Sequence, residues 1–205
     1  MLDLGPSLLL GTRNPGKIHE IKLLLGGLPL EFLSLNDFPD VPVAEENEDT
    51  YAGNAIAKAR FYARATRLPA LADDSGLEVE ALRGAPGVIS ARYAGENATD
   101  ADRRALLLSE LAKTGSGNRQ ARFVCAIAIA SFDGEVQNLS EGICEGTITF
   151  VPRGTSGFGY DPLFVPDGYQ HTFAELSDDV KNRISHRARA LLKLRDILIQ
   201  QPQRG

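Results

Sequence analysis

Interleaved strand and helix signals along 205 residues predict an α/β domain. Three observations carry that reading. Leu8-Leu9-Leu10 is a short apolar run followed by a Gly/Pro loop and then a helical apolar period, a strand–loop–helix unit. Thr99-Asp100-Ala101-Asp102 has capping-box spacing ahead of Leu106, Leu107 and Leu111, which predicts a helix over 100–112. Phe123, Val124, Ala126, Ile127, Ala128 and Ile129 make 122–132 a strand through a sheet interior. With 43% hydrophobic and 24% charged residues the chain suits one globular domain, 1–205, able to bury a core and to form two lobes.

In chain order, Leu8–Leu10 is a buried strand, Gly11–Gly16 a loop, and 18–25 a helix with Ile18, Ile21, Leu24 and Leu25 on one face. Glu31–Leu35 is a second short strand, and Pro39 and Pro42 keep 36–43 irregular. The acidic stretch Glu45, Glu46, Glu48, Asp49 by itself reads as a solvated loop or an acidic first helical turn. Residues 50–66 form an Ala-rich helix with Arg60, Arg64 and Arg67 outward; Lys58 sits on that wet face or points into a cleft. Ala72-Asp73-Asp74-Ser75-Gly76 follows apolar Leu68–Leu71, where a short strand runs out into a loop. Leu77–Leu82 fits a strand or a short helix, and Arg83–Gly87 is a turn. Gly115–Asn118 ends the 100–112 helix, and Asp133-Gly134 turns 122–132 into a partner strand, 135–145, followed by a further strand, 146–151. A final helix over 177–200 buries Ile184, Leu191, Leu192 and Leu198.

The charge of −5 argues against a protein held mainly on a nucleic-acid backbone. Cys125 and Cys144 lack Cys-x-x-Cys spacing, so neither a redox motif nor a zinc cage is indicated. No apolar stretch is long enough to span a bilayer, and Met1–Leu10 has no basic n-region, which predicts a soluble, cytoplasmic protein. Gly11-Thr12-Arg13-Asn14-Pro15-Gly16-Lys17 offers backbone, hydroxyl, amide and lysine beside a helix N-terminus, a phosphate cradle. It also satisfies Gly-x-x-x-x-Gly-Lys, but Ile18 supplies no hydroxyl for a metal. Asp73-Asp74-Ser75-Gly76 alone reads equally as a turn or as a Mg2+ site. In the glycine-rich Gly154–Pro162 stretch, Phe158 and Tyr160 read as an exposed stacking surface for a base. Lys181, His186 and Arg187, near the start of the last helix, suit a pocket for an anion and a base edge.

Taken together, Thr12-Arg13-Asn14-Pro15-Gly16-Lys17, Asp73-Asp74-Ser75-Gly76, Ser90-Ala91-Arg92-Tyr93, Phe158-Gly159-Tyr160-Asp161-Pro162 and Ser185-His186-Arg187 resemble the inosine triphosphate pyrophosphatase family. The resemblance runs nearly end to end. It implies a long twisted mixed sheet flanked by helices, with two lobes and the active site in the cleft between them. It also implies a cytoplasmic homodimer that uses Mg2+ to split ITP, dITP or XTP into monophosphate and pyrophosphate. By motif, Thr12, Arg13, Asn14, Pro15, Gly16, Lys17 and Lys58 hold the triphosphate, and Glu45 and Asp74 hold Mg2+. Asp74 is also the candidate general base, with Ser75 touching substrate. Phe158, Gly159, Tyr160 and Asp161 bind the base, joined by Lys181, His186 and Arg187. Asp73 is left as support or a ligand to a second metal.

Three other readings compete. A P-loop ATPase would take Gly11–Lys17 as Walker A and Leu71-Ala72-Asp73 as Walker B, and would release orthophosphate. A related pyrophosphatase for pyrimidine or modified nucleotides shares the loop and metal logic without the purine pocket. A non-catalytic nucleotide- or RNA-binding module would use the basic C-terminal helix and show salt-sensitive binding.

Overall fold

The computed structural model of the chain describes residue 2 and residues 4–199. One mixed sheet has the order β2-β1-β3-β4-β5-β6. Its strands are β1 (Ser7–Leu10), β2 (Glu31–Ser34), β3 (Ala70–Val79), β4 (Gln120–Ala130), β5 (Val136–Ile148) and β6 (Phe164–Pro166). The helices are α1 (Pro15–Leu24), α2 (Tyr51–Thr66), α3 (Asp100–Lys113), α4 (Asp178–Ile184) and α5 (His186–Ile199). The predicted α/β class holds: β1 is parallel to both β2 and β3, and β6 is antiparallel to β5. The described residues divide into two compact units, one comprising 4–74, 125–142 and 187–199, the other 75–124 and 143–186.

In the first unit, strand alternation sorts side chains to two covered faces. Leu8, Leu10 and Leu71 pack in one cluster with Ile21, Leu24 and Leu25 at α1 and Ala188, Leu191 and Leu194 of α5. α2 covers the other face with buried Asn54, Ala55, Lys58, Ala59, Tyr62 and Ala63. Gly11 marks how closely the chain passes α2, since a Cβ there would lie 2.8 Å from the Tyr62 ring and 3.1 Å from the Leu71 carbonyl. Both helices begin on side-chain caps. Asn14 Oδ1 accepts from the Lys17 N–H at 3.1 Å, and Thr50 Oγ1 accepts from the Gly53 N–H at 3.0 Å. α1 therefore starts at Pro15, earlier than the apolar period indicates.

In the second unit, Leu77 and Val79 of β3 pack with Leu107 and Leu111 of α3, Phe123, Cys144, Ile148, Tyr160, Phe164 and Phe173. The capping box of α3 forms as its spacing predicts: Thr99 Oγ1 accepts from the Asp102 N–H and Asp102 accepts from the Thr99 N–H.

Three local expectations are corrected and one left open is settled. Asp73-Asp74-Ser75-Gly76 lies inside the ten-residue β3, neither at a strand end nor in a turn. Leu77–Val79 continues that strand, and Glu80–Leu82 closes it with a 3₁₀ turn. The two strands expected over 135–151 are one thirteen-residue strand, β5, while 149–151 leave the sheet. The single C-terminal helix is two, because Ser185 is extended (φ −66°, ψ 157°) between α4 and α5. Gln200, its expected end, lies outside the described residues.

Candidate active site

Two charged constellations gather part of the predicted site residues, one in each unit. The first is built on consecutive carboxylates. Asp73 and Asp74 are both buried, and strand alternation aims them at opposite faces of β3. Asp73 meets α1 and α5: Lys17 Nζ is 3.0 Å from its Oδ2, and Arg187 donates to the same oxygen from Nε and Nη2, each at 3.2 Å. Arg187 also donates to Glu20 Oε2 at 2.5 Å, and Glu20 stands three residues after Lys17 on α1. Asp74 meets α2. Lys58 donates to its Oδ1 at 2.9 Å and Asn54 to its Oδ2 at 3.1 Å. Lys58 also donates to Glu46 Oε1 at 2.8 Å, so one ammonium bridges the acidic loop and the strand.

These partners set the two acids apart. Burial alone would raise the Asp73 carboxyl, but Lys17, Arg187 and Lys58 outweigh it and hold it well below the usual carboxylate range. At Asp74 burial is the larger influence and pushes the carboxyl up against the pull of Lys58. The difference follows from the contacts: Asp73 receives two cations, while Asp74 shares one with Glu46. Burial would lower the Lys58 ammonium, yet Asp74, Asp73 and Glu46 hold it above its ordinary value.

The loop before α1 is more tightly used than a bare cradle. Asn14 donates its N–H to Thr12 Oγ1 at 3.1 Å, and Arg13 donates to the carbonyls of Phe38 at 3.3 Å and Val41 at 2.8 Å. Pro15 has no N–H, that of Lys17 is held by the Asn14 cap, and the Lys17 ammonium is paired with Asp73. Glu45 is exposed and accepts from Asn47 Nδ2 at 2.8 Å, whereas its neighbour Glu46 meets Lys58. The reading of Lys58 left open by the sequence resolves inward.

The second constellation joins Phe158, Asp161 and Lys181. Lys181 Nζ donates to Asp161 Oδ2 at 2.7 Å and lies 4.8 Å from the centroid of the half-buried Phe158 ring. Asp161 also accepts from the Phe158 N–H at 2.9 Å. His186 is buried and stacks on Phe123, with ring centroids 4.6 Å apart. Ser75 is half-buried in β3, and Gly159 adopts φ 60°. Tyr160 corrects the expectation of two exposed aromatics: it is 5% exposed and donates its hydroxyl to the Ser90 carbonyl at 3.0 Å. Arg187, expected beside Lys181 and His186 in a pocket, is 2% exposed and committed to Glu20 and Asp73 of the first unit.

Asn54, Glu20 and Glu46 escaped the sequence reading. Asn54 stands one turn before Lys58 on α2, a spacing that places both on one face and was available to find it. Glu20 has the same relation to Lys17 at three residues. Nothing local distinguishes Glu46 from Glu45.

Residues 8–197 match the profile of the Ham1 family. The chain is 52% identical over 191 residues to a dITP/XTP pyrophosphatase of Geobacter sulfurreducens, spanning 93% of this chain and 96% of that one. It is 49% identical over 191 residues to a dITP/XTP pyrophosphatase of Desulforamulus reducens, spanning 93% and 94%. Among solved structures, a HAM1 protein from Coxiella burnetii matches with a TM-score of 0.88 and 44% identity, over 95% of this chain and 99% of that one. A nucleoside-triphosphatase / dITP/XTP pyrophosphatase from Mycobacterium abscessus matches with a TM-score of 0.72 and 42% identity, over 92% and 98%. The resemblance read from the five motifs agrees with these matches.

Proposed function

Because the chain belongs to the Ham1 family, we propose that it is a nucleoside triphosphate pyrophosphatase acting on dITP, ITP and XTP, releasing the monophosphate and pyrophosphate. The observation that carries this reading is the pairing of Lys17 with Asp73 and of Lys58 with Asp74. Two helices bring one lysine each to consecutive carboxylates of one strand, beside a capped helix N-terminus. That is the equipment of anhydride cleavage, in which positioning and charge stabilisation do most of the catalysis.

A water oriented by the Asp74 carboxylate attacks the α phosphorus in line with the departing pyrophosphate. The bond from the α phosphorus to the α–β bridging oxygen breaks, and Asp74 receives the water proton. Lys17 and Lys58 turn from their carboxylates toward the phosphates and stabilise the leaving group. Asp73 keeps Lys17 charged and in place. The carboxylate oxygens of Asp74 and Glu45 are hard donors of the kind Mg2+ selects, and Glu46 is adjacent. Among the described residues no group of three or more His, Cys, Asp or Glu side chains is placed to hold a metal ion by itself. The donor set therefore suits an ion that takes one or two carboxylates and completes its shell with substrate phosphate and water. When bound, Mg2+ supplies neutralisation of the triphosphate oxygens.

Base selection falls to Phe158, Lys181 and His186. A 6-oxo purine presents an acceptor where adenine presents an amino donor, so donors at this site accept hypoxanthine and leave adenine's donor unmatched. A site built on such bonds rejects the wrong base by roughly 10⁴-fold. We place the enzyme in the cytoplasm, as a homodimer that removes deaminated purine nucleotides from the precursor pool.

A nucleotide panel with Mg2+, read for pyrophosphate against orthophosphate, tests this function. Pyrophosphate from dITP, ITP and XTP, with little from dATP, is expected. Orthophosphate as the main product would overturn it. Asp74→Asn should lower kcat by about 10² to 10³, and wild-type turnover at saturating Mg2+ would remove Asp74 from the mechanism.

A further inference from the structure

Helix α3 contributes no residue to the site described above, yet two of its side chains grip the loop that carries Phe158. Asp100 and Arg104 are one turn apart and so share a face of the helix. Asp100 Oδ2 accepts from the Gly159 N–H at 2.8 Å, and Arg104 Nη1 donates to the Gly159 carbonyl at 2.7 Å. These two bonds fall on different peptide planes, one on each side of the Gly159 Cα. Together they fix the rotation between the planes from which Phe158 and Tyr160 hang, at the φ of 60° that glycine tolerates. Asp100 is itself steadied by an ion pair with Arg103, and Arg103 donates to the carbonyls of Ala91 at 2.9 Å and Ala98 at 2.7 Å.

We propose that Asp100 and Arg104 are positioning residues for base recognition: a clamp that sets the angle at which Phe158 meets the purine, without touching it. The inference rests on the base-recognition reading of Phe158 and Lys181. The other contacts of the loop act beside the clamp: the Asp161 N–H donates to the Phe158 carbonyl at 3.2 Å and closes a turn across Gly159, which α3 then braces. Tyr160 is anchored through its hydroxyl to Ser90, and Asp161 fixes Lys181 and the Phe158 N–H. A Cβ on Gly159 would meet nothing within 4 Å, and the bonds from Asp100 and Arg104 are what tie this peptide to α3. The clamp is separable from the helix cap, which uses Thr99 and Asp102.

The test compares Arg104→Ala, Asp100→Ala, Arg104→Lys and Asp100→Asn with the wild type, in steady-state kinetics on dITP and dATP. Losing a charge-assisted hydrogen bond from a loop corresponds to roughly tenfold in binding. The alanine variants should raise KM for dITP about that much while kcat stays within about twofold. Their preference for dITP over dATP should fall, and competitive inhibition by pyrophosphate, which has no base, should be unchanged. Arg104→Lys and Asp100→Asn, which keep a donor and an acceptor, should recover part of the KM. Thermal unfolding identifies any variant that does not fold, and in that case the conservative pair carries the comparison. Wild-type activity with unaltered KM and selectivity in the folded variants would overturn the clamp alone. Equal losses of kcat and of pyrophosphate inhibition would also overturn it, by showing a general disturbance. No pyrophosphate from any nucleotide with the wild-type enzyme would instead overturn the pyrophosphatase reading, and the clamp with it.

Discussion

Asp73 and Asp74 are the same side chain one peptide bond apart, and their surroundings push their carboxyls in opposite directions. Asp73 is enclosed by Lys17 and Arg187, its charge neutralised and its position fixed. Asp74 keeps a share of one lysine and one amide, leaving it the capacity to take part in chemistry. Burying charge is costly unless it is paired, and removing one partner strands the other. Arg187→Met should therefore destabilise the protein by about 3–5 kcal/mol, because Glu20 and Asp73 both lose the buried guanidinium paired with them. A second change, Glu20→Leu, should recover part of the loss, since an apolar replacement of a whole buried pair is tolerated better than half of one. Urea unfolding measures both, and an unchanged midpoint for the single variant would show that Arg187 does not hold this network together. None of this was visible locally: the sequence displays two adjacent acids and offers a turn or a metal site, because the cations that bury Asp73 come from 56 residues before it and 114 after it.

Among the elements, the legible ones are those with their own start signals and periods. The helix cap at Thr99 and the apolar runs at 8–10 and 122–132 are written in neighbouring residues, and they appear within two residues of where expected, the last as the strand Gln120–Ala130. Where the decision belongs to tertiary partners, local reading fails. The break at Ser185 has no Gly or Pro to announce it. β6 is three residues long and exists by pairing with β5, with Thr147 opposite Val165. Tyr160 stands among glycines, a context that suggests exposure, and its packing with Leu77 and Leu107 and its bond to the Ser90 carbonyl explain its burial. The α3 clamp gives a prediction at this scale. Burial tends to raise the Asp100 carboxyl, but its bonds with Arg103 and the Gly159 N–H and the nearby Arg104 lower it overall. A carboxyl lowered in the folded state stabilises fully above its unfolded value, near pH ~3.9, and the contribution fades as pH falls through the lower folded value. Thermal stability of the wild type should therefore drop more steeply in this acid range than that of Asp100→Asn. Parallel profiles would show that the charge on Asp100 is immaterial.

For the whole molecule, fold class and family were legible in the sequence, since five short motifs in order constrain a chain more than any one of them does. The net charge of −5 and the assembly expected from the resemblance remain properties for solution measurement. Light scattering should return twice the 22.1 kDa mass of the chain, and a monomer at working concentration would withdraw the dimer. The placement of Asp73 and Asp74 within a continuous strand has a consequence for how this chain can vary. Alternation along β3 means that sliding it by a single residue exchanges the two faces. The acid enclosed by Lys17 and Arg187 and the acid proposed to react would trade places, each delivered to the other's partners. Pairing of β1 with β3, Leu9 opposite Ala70 and Leu10 opposite Leu71, fixes that phase three residues upstream of the pair. Insertions of one residue between Leu71 and Asp73 should be far more damaging than substitutions there, because they would leave every side chain intact and still address both carboxylates to the wrong helix.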